Sequence, residues 1–213
     1  MSETVPQPGV APDQTSMPVP AAQTSMPVAP APERTQVDGG APEHAGGELR
    51  VPDGYTFVEG APNGEARAVA VVVARFNGEI TSALLEQTLE TLEHEGVARD
   101  AVTVMAVPGA FELPLAAMAL AKTRRFACVV ALGAVIRGDT PHFDYVAGEA
   151  ASGLQLAALE TGVPVSFGLL TCDTAEQARA RIHKGAEAAR TALEMAEVFA
   201  QLRGAASAAT AAK

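Results

Sequence analysis

Residues 68–74 read Ala-Val-Ala-Val-Val-Val-Ala, an apolar run with no polar interruption. A strand with one wet face alternates apolar and polar side chains. An unbroken run fits a strand covered on both faces, as in a parallel sheet. Three further apolar-rich runs occur at 102–107, 127–132 and 165–170, the first and last of them each carrying one hydroxyl residue, Thr103 and Ser166. Between them the spacing changes from two to helical. Ile80, Leu84, Leu85, Thr88, Leu89 and Leu92 mark one face of a helix over 80–95 that closes at Gly96. Residues 112–122, 143–161, 174–181 and 185–202 have helical character as well.

Four buried strands alternating with helices predict an α/β protein. Right-handed crossovers restrict it to a doubly wound, flavodoxin-like three-layer sandwich, with a four-stranded parallel sheet flanked by helices. In such sheets ligands bind beyond the carboxyl ends of the strands, so the residues after 74, 107, 132 and 170 are the candidates for function.

The flanks differ in kind. Residues 1–50 are rich in Pro, Ala, Gln, Thr and Ser without periodicity, and the hexapeptide Gln-Thr-Ser-Met-Pro-Val stands at both 14–19 and 23–28. Eleven of the fifteen prolines lie within residues 1–66. A segment that buries so little apolar surface cannot offset its ordering entropy, so 1–50 is expected to be a disordered tail. Residues 51–66 are then a linker or N-terminal arm, 67–203 the folded domain, and 204–213 an Ala-rich flexible end.

Charge follows the same division. Residues 1–66 carry nine acidic and two basic residues, a net of −7, against a formal −10 for the whole chain. An acidic protein without a basic footprint is not expected to bind nucleic acid. No run of eighteen apolar residues suggests a membrane span, and the N-terminus lacks a basic region followed by an apolar stretch. Cys128 and Cys172 stand in strand-like runs and read as buried core residues. The expected compartment is the cytoplasm.

Each strand end has its own chemistry. Arg75-Phe76-Asn77-Gly78 follows the first: an aromatic and an amide can stack on a planar ring and read its edge, or Phe76 can fold into the core above an Asn-Gly turn. Pro108-Gly109-Ala110-Phe111-Glu112-Leu113-Pro114 follows the second. There Pro and Gly let the backbone approach a ligand, and Glu112 either serves the site or complements a helix dipole. The third is followed by a Gly-rich turn, Gly133-Ala134-Val135-Ile136-Arg137-Gly138-Asp139-Thr140-Pro141-His142-Phe143-Asp144-Tyr145. Asp139 and Thr140 lead into a helix N-terminus, whose free amides suit phosphate, and His142 at that mouth can carry protons near neutral pH. Asp139 is itself anionic, so it would contact phosphate through its backbone. Beyond the fourth strand, Asp173 or Thr174 can cap the next helix, and Arg181 and Lys184 are cations within reach of an anion.

Taken in order, Arg75-Phe76-Asn77, the 108–114 block, the 133–145 block and Phe167-Gly168-Leu169-Leu170-Thr171 resemble the lumazine synthase family over about residues 67–203. The resemblance implies condensation of 5-amino-6-(D-ribitylamino)uracil with 3,4-dihydroxy-2-butanone 4-phosphate, without a metal or redox cofactor. It implies that Phe76 stacks on the pyrimidine beside Asn77, and that Ala110, Phe111 and Glu112 line the ribityl chain. Ala134, Val135 and Ile136 would contact the ring through their backbone. Asp139 and Thr140 would hold the phosphate, and His142 would move protons. Phe167, Arg181 and Lys184 would come from a neighbouring subunit, because the family's site lies at a subunit interface within a pentamer. Only Ile182 and His183 separate Arg181 from Lys184, a shorter loop than the family pattern. The alternative is a weakly active paralogue serving as a shell-forming or flavin-binding protein. A flavodoxin-like electron carrier lacks support, since neither an acidic triad nor a phosphate loop is evident.

Overall fold

The computed structural model describes residues 49–211. The tail expected over 1–50 lies outside the described residues, apart from Leu49 and Arg50. The order of elements is β1 (Val69–Ala74), α1 (Gly78–His94), β2 (Val102–Val107), α2 (Leu113–Lys122), β3 (Cys128–Ile136), α3 (His142–Thr161), β4 (Val165–Cys172), α4 (Ala175–Arg179) and α5 (Lys184–Ala211). All strand pairs are parallel, in the order β2-β1-β3-β4. This is the expected four-stranded α/β sandwich.

The unbroken apolar run is explained by position. β1 lies between β2 and β3, and each of its residues is buried. Ala70, Val72 and Ala74 pack with Leu113, Ala117 and Leu120 of α2 and with Ala150, Leu154 and Ala157 of α3. Val69, Val71 and Val73 face the other way, onto Leu92 of α1 and Ala189, Ala192 and Leu193 of α5. Alanine at these helix positions lets the helices sit close to the sheet, which compensates for the scarcity of aromatic side chains.

Several expectations need correction. β2 is not a buried strand: it forms a sheet edge, and Val104 and Met105 are 44% and 37% exposed. Its apolar sequence is therefore not covered by this chain. The Gly-rich turn expected after residue 132 is strand as far as Ile136, and β4 likewise continues to Cys172. These two strands extend by pairing with each other, from Gly133 with Leu169 to Ile136 with Cys172. Glu112 closes a short 3-10 turn, Ala110–Glu112, and is also the N-cap residue from which α2 starts.

The C-terminal helix does not stop near residue 202. It runs through Gly204 to Ala211, because a stretch of Ala, the best helix former, outweighs the roughly 1 kcal/mol penalty of one Gly. Residues 51–66 form no helix or strand, yet they are anchored: the Gly64 N–H donates to the Glu95 carbonyl at 2.7 Å. Cys128 and Cys172 are buried free thiols, and burial pushes the Cys128 thiol up to about 12. Among the described residues no helix is long and apolar enough to cross a membrane.

Candidate active site

The loops after β1, β2 and β3 leave the sheet at one edge, since Ala74 stands opposite Val107 and Val73 opposite Leu132. β1 then stops while β3 continues, which leaves a step in the sheet. Asn77 fills part of it: its side-chain amide donates to the Ala134 carbonyl at 2.8 Å. That bond replaces the ladder contact β1 no longer supplies. The Arg137 N–H donates to Cys172 of β4. By alternation the backbone groups of Ala134 and Ile136 turn toward the open step. Ala134 is buried, while Val135 and Ile136 are half-buried.

Phe76 does not fold into the core; 71% of it is exposed. Its ring lies over Gly109, where an added Cβ would come within 2.9 Å of Phe76 Cδ2. The same Cβ would meet Glu112 Oε2 at 3.2 Å, so Gly109 seats both side chains. Glu112 Oε2 accepts the Gly109 N–H at 2.9 Å, which fixes the 3-10 turn. Thus Phe76, Asn77, Glu112 and Ala134 meet at one end of the sheet. Ala110 is buried beneath this turn, and Phe111 is 57% exposed.

Asp139, Thr140 and His142 are exposed on the loop that follows β3, with Pro141 as the N-cap residue of α3 and His142 as its first residue. Arg137 holds that loop. Its guanidinium pairs with Asp144 at 3.1 Å and Asp173 at 3.0 Å, and lies 4.1 Å from the centre of the Phe143 ring. Asp173 above all raises the Arg137 pKa further above its ordinary value. Arg137 therefore ties the loop to α3 and to the end of β4. Thr174, not Asp173, caps α4, accepting the Gln177 N–H at 3.2 Å.

The remaining candidates stand apart from this cluster. Phe167 pairs with Ala131, three residues before Ala134 of that cluster, so it lies about 10 Å back along the sheet. It is 50% exposed on an edge strand. Arg181 follows α4, donates to the Gln177 carbonyl at 2.9 Å, and is near enough to oppose the desolvation that raises the Cys172 pKa. Lys184 Nζ is engaged on its own helix with Glu187 at 2.6 Å. The cavities of about 200, 760 and 430 Å³ on the chain are lined by other residues. Within one chain the Phe76 cluster is an open shelf.

The profile described as 6,7-dimethyl-8-ribityllumazine synthase matches residues 66–200. The 6,7-dimethyl-8-ribityllumazine synthase of Yersinia pestis (strain Pestoides F) is 49% identical over 153 residues, covering 69% of this chain and 98% of that protein. The protein of the same description from Yersinia pseudotuberculosis serotype O:1b (strain IP 31758) gives the same figures. The chain belongs to the 6,7-dimethyl-8-ribityllumazine synthase family. The matched segment holds all four strands and every candidate from Phe76 to Lys184.

Two participants are absent from the sequence-based list of lumazine synthase residues. Gly109 stands in the Pro-Gly block as a flexible residue, but its contact with Phe76 spans 33 positions and leaves no local trace. Arg137 is one cation among many until its two carboxylate partners are seen.

Proposed function

We propose that this lumazine synthase family member is a transferase that condenses 5-amino-6-(D-ribitylamino)uracil with 3,4-dihydroxy-2-butanone 4-phosphate to give 6,7-dimethyl-8-ribityllumazine, phosphate and water. The observation that carries the reading is the solvent-open Phe76 ring seated on Gly109, beside an Asn77 amide fixed to Ala134. A planar pyrimidine can stack on that ring and meet the backbone groups of Ala134 and Ile136 at the step, with Val135 between them. The 3-10 turn of Ala110, Phe111 and Glu112 then lies along the ribityl chain. Asp139, through its backbone, and the Thr140 hydroxyl receive the phosphate ahead of the α3 N-terminus.

The chemistry asks mainly for placement. One amine adds to the butanone carbonyl, phosphate leaves, and the second amine closes the ring. Both substrates are reactive in themselves, so the protein contributes orientation and exclusion of side reactions. His142 moves protons in these steps. Phe167, Arg181 and Lys184 complete the site from a neighbouring subunit of a pentamer-based homo-oligomer. The open shelf around Phe76 and the exposure of Phe167 support this arrangement. The buried free thiols are in keeping with a cytoplasmic enzyme.

A steady-state assay with both substrates, following lumazine fluorescence, tests the reading. The protein should exceed the uncatalysed background clearly, and Arg181→Ala should raise KM for the butanone phosphate. His142→Ala should lose on the order of 10²-fold in kcat, the low end for a general acid–base group. Background-level product formation by well-folded oligomers would refute the assignment, and complete inactivity of assembled His142→Ala would refute the role given to His142.

A further inference from the structure

Four of the ten arginines in residues 67–213 line one cavity of about 430 Å³: Arg67, Arg124, Arg125 and Arg203. It opens at the amino-terminal end of the sheet, where β1 and β3 begin. The candidate active site lies at the other end of β3, about 30 Å away for a strand of nine residues. In a chain of net charge −10, such a convergence of guanidiniums is unexpected from composition alone.

Neutralisation does not account for it. Arg67 pairs with Glu197, and Arg124 donates to the Thr161 carbonyl at the end of α3. Arg125 lies 5.7 Å from the centre of the Phe126 ring. Among the described residues no carboxylate pairs with Arg124, Arg125 or Arg203. The ends of α2 and α3 adjoin the cavity, and each helix C-terminus offsets roughly half a charge. Glu197 offsets one more, so the cluster keeps a net charge of about +2. Arg67 Nε is buried without an acceptor, a donor still to be satisfied.

Backbone geometry points to the same place. Among the described residues, three non-glycine residues have positive φ: Asn77 at 57°, Ala66 at 56° and Arg124 at 58°. Asn77 belongs to the candidate active site, and the other two both line the arginine cavity. Arg124 stands just past the end of α2, where a left-handed residue is usually Gly. Strain of this kind persists only where the surrounding structure holds it, and it clusters at functional sites.

We propose that this cavity is a second ligand site, for a small oxyanion of two or more charges such as a diphosphate group. Its size is at the lower end for small-molecule sites. Guanidiniums bind phosphate oxygens in bidentate fashion.

Calorimetric titration of the full-length assembled protein with inorganic diphosphate tests the proposal. Arg125 and Arg203 are exposed, so Arg125→Gln/Arg203→Gln should fold and keep normal turnover. The expected result is a binding event that survives Thr140→Ala but weakens on the order of tenfold or more in the double variant, as loss of charge-assisted hydrogen bonds requires. Arg125→Lys/Arg203→Lys should recover part of it. An isotherm unchanged by Arg125→Gln/Arg203→Gln, or abolished by Thr140→Ala alone, would overturn the proposal.

Discussion

Asn77 adopts φ 57° and ψ 45°, a conformation that costs an ordinary L-residue about 1–2 kcal/mol and that Asn tolerates better. Its side chain also satisfies the Ala134 carbonyl where β1 ends. The two roles separate by substitution. Asn77→Ala should suffer both losses and lower the Tm, whereas Asn77→Gly relieves the backbone and loses only the hydrogen bond. Both should lose activity on the order of tenfold, the effect of one misplaced ring contact of about 1.4 kcal/mol. Equal melting temperatures for the two variants would show that the left-handed backbone is not a cost here. The Asn-Gly pair at 77–78 made the turn legible from sequence. That Phe76 stays in solvent was not legible, since its support, Gly109, comes from a different strand end. The position of His142 at the mouth of α3 was legible because Gly138 and Pro141 mark the turn just before it.

At the level of elements, apolar-rich runs located all four strands, and helical spacing located the helices between them. The errors have separate causes. Sequence shows that a run is apolar, but not whether this chain supplies its cover, so β2 was expected to be buried and is an edge. β3 was expected to stop at residue 132, because Gly133 suggests a turn. In fact it is a contact glycine: a Cβ there would press on Leu169 and Leu113 side chains. A similar constraint governs α1 and α5. At Gly185 an added Cβ would collide with the Leu84 carbonyl oxygen of α1, and it would lie 3.0 Å from Thr88 Oγ1. Thr88 Oγ1 itself lies 3.0 Å from the Gly185 carbonyl oxygen. Because the obstacle is backbone, it cannot rotate away. Gly185→Ala should therefore destabilise the domain by about 3 kcal/mol, the upper end of ordinary overpacking, measurable by denaturant unfolding. A wild-type unfolding midpoint would mean that α5 can shift away from α1 without loss.

At the scale of the whole molecule, one chain leaves aromatic surface uncovered. Phe76 and Phe111 are exposed at one edge of the fold, and Phe167 is exposed on β4, too far back along the sheet to close over Phe76. A second copy that brings its Phe167 and Arg181 to the first copy's Phe76 would cover both surfaces at once. Closed rings of identical subunits satisfy that head-to-tail contact at every interface. The proposed sharing of the site entered only through family resemblance, because nothing local in the sequence assigns Phe167 to another subunit's site. The most direct measurement is complementation in mixed oligomers, made by refolding equal amounts of Phe76→Ala and Phe167→Ala chains together and assaying lumazine formation. Random assembly leaves both side chains intact at about a quarter of interfaces in a closed ring, so activity should recover toward a quarter of wild type and exceed that of either parent. Mixed oligomers no more active than the average of the two parents would contradict a site shared between subunits.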